Sequence, residues 1–395
     1  MHDSLCLDDL RRPGPTFLAR RLDRTSLCRI LADESWTRGL WLQLLGHFEE
    51  ALAPLEHARS EREGALERAT LAMHLLPSHL ALGRAREAVA CAAEARAAFE
   101  RTPRRAALAY AGAMGALAAQ ELGDLEAARL GFERALGVYA ATGLSRETAI
   151  VSGYLGELAL ERGEPGVARA WIGRGLGIAR TVGDGGLLAW MTTALAASAH
   201  ELEEAMTHLL EAAGSIDEGG RDLGALVELR YGHVDLLKAA GADPRELAAY
   251  LERAQRRVDE ASAHAHRVEL RCAARILGRS IDALRCTQGR GLRLAGDLSW
   301  IATPAGDRVD LARRSVLRRV LQVLVSARRC APGVGTGVHE IFATAWGGEK
   351  ASPDAAANRV YVAVARLRKL GLDGCLITGD DGFLLDPRVP VMQER

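Results

Sequence analysis

The alternation of apolar and polar positions is most regular near the C-terminal end of the chain, in the segment 353–370. Val360, Val364 and Leu367 recur at steps of three and four residues, which predicts a helix with one apolar face. Four cationic residues fall on its other faces: Arg359, Arg366, Arg368 and Lys369. The pattern predicts a helix that packs on one side and is basic on the other.

Local signals bound this helix at both ends. Ser352 can cap the first amides, and Pro353 suits a first helical position because its missing N–H would be unpaired there anyway. Beyond the helix, the apolar runs 375–378 and 383–385 flank a Gly-Asp-Asp-Gly turn, which predicts a β-hairpin.

Three further elements are predicted upstream. Apolar and polar residues alternate over 291–302 and 307–311, as in a small antiparallel sheet. The segment 314–327 has the period of an amphipathic helix, and 337–346 follows after a loop that contains three glycines. The order is therefore a sheet, three helices and a hairpin.

A repeat of 37 to 40 residues dominates the first half of the chain. Its markers are glycines, each followed five residues later by alanine: Gly46 and Ala51, Gly83 and Ala88, Gly123 and Ala128, Gly163 and Ala168. A weaker fifth copy has His200 and Ala205. Glycine suits a left-handed turn between helices, and small residues let two helix backbones approach. The repeat predicts a series of helical hairpins.

This pattern resembles the tetratricopeptide (TPR) family, although the period exceeds the family's usual length. The resemblance implies a stacked α-solenoid with a groove for a protein or peptide partner. On the TPR register, the groove would be lined by residues of the first helix of each hairpin: Tyr110, Gln120, Ile150, Glu157 and Trp190. The alternative for each of them is an ordinary packing or solvated position.

The C-terminal order of elements resembles the winged-helix domain of OmpR/PhoB-type bacterial response regulators. The resemblance rests on the motifs HEIFATAWGGE, RVYVAVARLRKLGL and DDGFLL, which occur in that order. It implies binding to double-stranded DNA, with the helix near 358–369 in the major groove. Asn358 and Arg359 would contact bases, and three cations would contact phosphates: Arg366, Arg368 and Lys369.

Two departures leave an alternative open. The alanines at 355–357 offer no hydrogen bonds to bases, and Asp380 and Asp381 in the wing repel phosphate. DNA binding could therefore depend on a homodimer. Alternatively, the chain is an adaptor whose repeats and winged helix both bind proteins.

Charge and composition agree with a division of roles. The net charge of the 395 residues is zero, but 290–395 holds 16 Lys and Arg against 11 Asp and Glu. The C-terminal part is thus mildly basic on an acidic remainder, which favours a polyanionic partner for that part alone. Seven scattered cysteines without a C-x-x-C pair, and an N-terminus unlike a signal peptide, predict a cytoplasmic protein. No window has the roughly 18 apolar residues of a membrane span.

Candidate chemistry is sparse. His339-Glu340 begins like a zinc-protease motif, but Ala343 stands where the second histidine is needed. The glycines of 333–337 lack the spacing of a phosphate loop and predict a flexible connection. His264 and His266 lie on a charged stretch, where histidines are usually solvated. We therefore expect no metal, no cofactor and no enzymatic activity.

The predicted fold is mainly α, a TPR-like α-solenoid followed by a small α+β winged-helix domain. The predicted divisions are an N-terminal extension at 1–35, the repeat domain at 36–284 and the winged-helix domain at 288–395. The function that this organisation predicts is a transcriptional regulator, in which the repeats sense or recruit a partner and the winged helix binds promoter DNA.

Overall fold

A computed structural model describes residues 34–215, 221–263, 266–287, 291–330, 333–347 and 349–394. The predicted N-terminal extension lies outside these residues except for its last two, and so does His264 of the histidine pair. The chain divides into two compact units between Ile276 and Leu277. Each unit is considered separately below.

Consecutive helical hairpins build most of the first unit. In each pair the helices pack against one another, and each first helix also meets the second helix of the preceding pair. The helices are α1 (Glu34–Leu44), α2 (Phe48–Ser60), α3 (Ala65–Ala81), α4 (Ala85–Phe99), α5 (Arg105–Glu121), α6 (Leu125–Ala141), α7 (Ser145–Glu161), α8 (Pro165–Val182), α9 (Gly185–Ser198) and α10 (Leu202–Gly214).

The repeat markers occupy the positions that their chemistry requires. The turn glycines have left-handed backbones, with φ of 69° at Gly83, 77° at Gly123 and 71° at Gly163. The repeat alanines from Ala51 to Ala205 are fully buried. The prediction of helical hairpins is confirmed, because a left-handed residue ends one helix and a side chain no larger than a methyl group lets the next one pack closely.

Close helix contact is most evident between α7 and α8. A Cβ placed on Gly156 would lie 2.4 Å from Cγ1 of Ile172 and 3.3 Å from the carbonyl oxygen of Ala168. Ile172 is branched at Cβ and has few alternative rotamers. The glycine therefore sets how near these two helices lie.

Three longer helices follow the hairpins: α11 (Arg221–Ala239), α12 (Pro244–Ala263) and α13 (Val268–Thr287). Helix α11 packs on α9 and α10, where Val227 and Val234 join a core with Ala205, Leu209 and Ala212.

The second unit has a four-stranded sheet formed by β1 (Leu292–Leu294), β2 (Trp300–Ala302), β3 (Arg308–Asp310) and β6 (Val391–Gln393). The strand order is β3-β2-β1-β6, and β1 pairs antiparallel with β2 but parallel with β6. The first three strands were predicted. The last was not, because three residues near a chain end carry no pattern that distinguishes a strand from a loop.

The three predicted helices are present as α14 (Ser315–Cys330), α15 (Val338–Ala345) and α16 (Pro353–Leu367), with a short π-turn at Arg368–Leu372. The wing is the antiparallel pair β4 (Leu376–Gly379) and β5 (Gly382–Leu385). The predicted apolar stripe of α16 is buried in the core of this unit.

The glycine-rich loop is held to the wing. Thr336 and Phe383 exchange two backbone hydrogen bonds of 2.8 and 3.0 Å. Gly382 has a φ of 137°, and a Cβ there would lie 2.1 Å from the Thr336 carbonyl oxygen. The expectation of a flexible connection is therefore corrected for Thr336, since its backbone is paired to the wing.

The predicted fold class is confirmed: a mainly helical TPR-like solenoid is followed by a small α+β domain. None of the described helices is long and apolar enough to cross a membrane.

Candidate functional site

A cleft of about 780 Å³ runs between α16 and the start of α14, and we call it the basic cleft. Its floor includes the buried residues Leu317 and Trp346. Five cationic side chains line it: Arg313, Arg314, Arg359, Arg366 and Lys369. No carboxylate is among its described lining residues, so it is a concave surface of one charge sign, which concentrates positive potential.

Four of the five residues predicted to bind DNA line this cleft: Asn358, Arg359, Arg366 and Lys369. All four are exposed. The start of the helix that carries them is fixed by Ser352, which accepts a 3.4 Å hydrogen bond from the Ala355 amide.

Arg368, the fifth of these residues, contacts the wing and is not among the residues that line the cleft. Its Nε donates to the Leu376 carbonyl at 3.0 Å, its guanidinium donates to Thr378 Oγ1 at 2.9 Å, and it lies 5.8 Å from the ring centre of Phe383. These three partners belong to the wing. Arg368 therefore holds the wing against the end of α16 with two of its N–H donors.

Arg359 forms an exposed ion pair that a ligand could replace. It forms a 2.6 Å ion pair with Glu349, and both side chains are about half exposed. An exposed pair of this kind contributes roughly 0–1 kcal/mol. A phosphate or base edge could replace the carboxylate at little cost.

Arg313 and Arg314 were not predicted as site residues. They immediately precede α14, whose N-terminus has unpaired amides and a positive dipole end. Two adjacent arginines at the positive end of a helix are electrostatically unfavourable unless an anion binds to both of them. This unfavourable placement was the signal in the sequence that could have identified them, and both arginines line the basic cleft.

The second candidate site is the side of α3, α5, α7 and α9 that the TPR register assigns to a partner, which we call the first-helix face. The structure places its predicted residues, Tyr110, Gln120, Ile150, Glu157 and Trp190, among buried groups. The expectation that they are open to a partner is corrected: all five are buried, and α11 and α13 contribute side chains that contact Glu157 and Gln120.

Buried polar contacts join the first-helix face to these helices. Glu157 Oε1 accepts hydrogen bonds from Trp190 Nε1 at 3.2 Å and from Arg230 on α11 at 2.5 Å. Gln120 donates to Cys272 on α13 and to Glu161 on α7. Sequence reasoning missed these pairings because the partners are far apart along the chain.

Two arginines of α13, one helical turn apart, bind three neighbouring first helices. Arg271 donates to the Leu80 carbonyl and to Glu121, both at 2.6 Å. Arg275 donates to Glu121 at 2.6 Å and to Glu161 at 3.0 Å. Each guanidinium thus bridges two repeats at the C-terminal ends of their first helices, where cations are also favoured by the helix dipole.

Burial and charge act in opposite directions on these carboxylates. Burial alone would raise the pKa of Glu121, but Arg275 and Arg271 outweigh it and hold that pKa below its usual value. For Glu157, burial raises the pKa and the charge of Arg230 offsets this only in part. Glu121 is therefore the better-compensated carboxylate of the two.

Comparison with known proteins identifies no family. No protein-family model matches the chain, and no curated protein does. Among solved structures, it is similar to the crystal structure of aspartyl phosphate phosphatase F from Bacillus subtilis, with 12% identity over 64% of this chain and a TM-score of 0.48. The chain spans 64% of the length of that structure. A similarity of this size carries no argument about activity or partners.

Metal chemistry has no support in the described part of the chain. It holds no group of three or more His, Cys, Asp or Glu side chains arranged to bind an ion.

Proposed function

We propose that this chain is a non-enzymatic, cytoplasmic transcriptional regulator whose C-terminal unit binds duplex DNA through the basic cleft and whose repeat domain binds a protein partner. The observation that carries the proposal is the basic cleft itself. Five cations and Asn358 line one concave surface beside α16; its described lining residues include no carboxylate, and Glu349 pairs with Arg359 from outside the lining.

The cations have distinct roles in this proposal. Arg366 and Lys369 on one side, with Arg313 and Arg314 on the other, bind phosphates and displace counterions, which makes affinity dependent on salt. Asn358 and Arg359 supply base discrimination, at about 1–3 kcal/mol for each good contact. Arg368 contributes by positioning the wing.

A gel-shift titration of the full chain tests the DNA-binding part. We expect binding to random duplex DNA at low salt, weakened by at least about tenfold in Arg366→Ala/Lys369→Ala, which removes two phosphate contacts. A charge-matched control is Arg319→Ala/Arg256→Ala, because both residues are exposed and neither lines the cleft. Equal affinities of the two double variants would contradict the assignment of the cleft.

The adaptor alternative has one observation in its favour. Tyr361 and Val362 on α16 are exposed, at 54% and 43%, and exposed apolar groups of this size are typical of protein contacts. If the full chain binds no duplex at low salt, the same helix becomes a candidate surface for a protein instead.

A further inference from the structure

The first-helix face carries a row of negative charge at equivalent repeat positions. Glu121 and Glu161 each stand two residues before a turn glycine, at the C-terminal ends of α5 and α7. Glu157 lies one turn earlier on α7. The carboxylates add to the negative ends of the helix dipoles, so this face is suited to a cationic ligand.

The chain's own α13 matches that row in charge and spacing. Arg271 and Arg275, four residues apart, face the same side of α13 and together contact α3, α5 and α7. Arginine can bind two acceptors at once, and both residues do so. Glu269 and Cys272 of the same helix add contacts to Tyr154 on α7 and Gln120 on α5.

Buried charges accompany the buried apolar residues of α13, among them Leu270, Ala273 and Ile276. Arg230 is completely buried, but its Nε and one of its terminal nitrogens have no hydrogen-bond partner among the described residues, and neither has Oε2 of Glu157. Replacing a buried ion pair with apolar side chains is often neutral or stabilising. These atoms of Arg230 and Glu157 are available for further polar contacts on this face.

We infer that the first-helix face is a binding surface for a helical segment with two arginines four residues apart, and that residues 268–276 of α13 occupy it as an internal ligand. A partner protein competes with α13 by presenting the same pair of arginines. This inference rests on the proposed partner-binding role of the repeat domain and is independent of DNA binding.

The test uses the full chain and a labelled synthetic peptide of residues 266–280, with Cys272→Ser to prevent oxidation. The control peptide also carries Arg271→Ala and Arg275→Ala. Fluorescence anisotropy measures binding to the wild type and to the chain variant Arg271→Ala/Arg275→Ala. We expect this variant to bind the arginine peptide at least about tenfold more tightly than the wild type, because its internal ligand is weakened.

A variant of the first-helix face tests whether the peptide binds there. Adding Glu161→Gln to the double variant should weaken its affinity for the arginine peptide by about tenfold or more, since one charged contact is lost. The control peptide should bind none of the chains. The inference is overturned if the folded double variant does not bind the arginine peptide, or binds both peptides equally.

Hydrogen exchange on the wild-type chain tests the inference even if the double variant does not fold. Amides of 268–276 should exchange faster than those of α5 and α7, because an exchangeable ligand opens without global unfolding. Equal protection would identify α13 as permanent core and overturn the inference. If a partner binds the repeat domain without changing this exchange, the partner-binding function stands and the inference fails.

Discussion

Arg230 on α11 donates to Glu157 on α7 at 2.5 Å, and neither side chain has more than 1% of its surface exposed. The pair connects a helix of the repeat series with one that follows it. Single and double mutations can separate the contribution of the ion pair from the cost of burying each charge, because replacing either residue alone leaves the other charge buried without its partner.

Arg230→Ala should lower the free energy of unfolding by about 3–5 kcal/mol, since Glu157 then remains buried and unpaired. Arg230→Met combined with Glu157→Leu should cost much less, because it removes both charges and retains volume. Urea denaturation of the single and double variants measures this difference. A double variant as unstable as the sum of its single changes would show that the two groups do not interact.

Two glycines of the α7–α8 hairpin, Gly156 on α7 and Gly173 on α8, predict opposite effects of the same substitution. Gly156→Ala should destabilise by about 1–3 kcal/mol, because its Cβ would overlap Ile172. Gly173→Ala, at an exposed helix position with no atom near its new Cβ, should stabilise by about 0.5–1 kcal/mol. Thermal unfolding of both variants checks the prediction, and equal shifts of the two midpoints would contradict the observed packing of α7 on α8.

Salt dependence should distinguish Arg366 from Arg368. Arg366→Ala should lower the slope of log affinity against log salt by about one, as expected for a lost phosphate contact. Arg368→Ala should weaken DNA binding without changing the slope, because its guanidinium is bound to Leu376 and Thr378 of the wing. Affinity titrations at four salt concentrations measure both slopes. A lower slope for Arg368→Ala would return this residue to the phosphate contacts that the sequence predicted.

His233 should make the protein less stable in mild acid. Burial, together with the charge of Arg230, lowers the pKa of His233 to about 3. The folded histidine stays neutral, whereas the unfolded one takes up a proton as the pH falls below about 6.5. The unfolded state then binds more protons, so stability falls with pH by on the order of 1 kcal/mol per unit between these two pKa values.

His233→Gln removes this titration and is the matched variant. Urea denaturation at pH 7 and pH 5 should give a smaller loss of stability for the variant than for the wild type. Parallel losses in the two proteins would show that His233 is not responsible for the acid sensitivity.

Much of the architecture could be predicted from local pattern. The spacing of Gly123 and Ala128 predicted a turn and a close helix contact, and Ser352 and Pro353 predicted where α16 begins. Such features depend on a few neighbouring residues, so they are visible in the sequence. Strand β6 was missed because its identity depends on pairing with β1, about one hundred residues away.

The functional residues divide in the same way. The position of Arg366 on an exposed helix face followed from periodicity, and the structure places it in the basic cleft. The direction of Arg368 did not follow, because it is determined by acceptors on the wing. Arg313 and Arg314 could have been found from their unfavourable place at a helix N-terminus.

The sequence by itself determined the helical hairpins, their repeat length, the basic helix and the wing, because periodicity and turn chemistry act over a few residues. Only the tertiary structure decided what covers the first-helix face. Arg271 reaches the Leu80 carbonyl across 191 residues, and Arg275 reaches Glu121 across 154. The match between those arginines and carboxylates depends on how the repeats stack, and no local pattern records that.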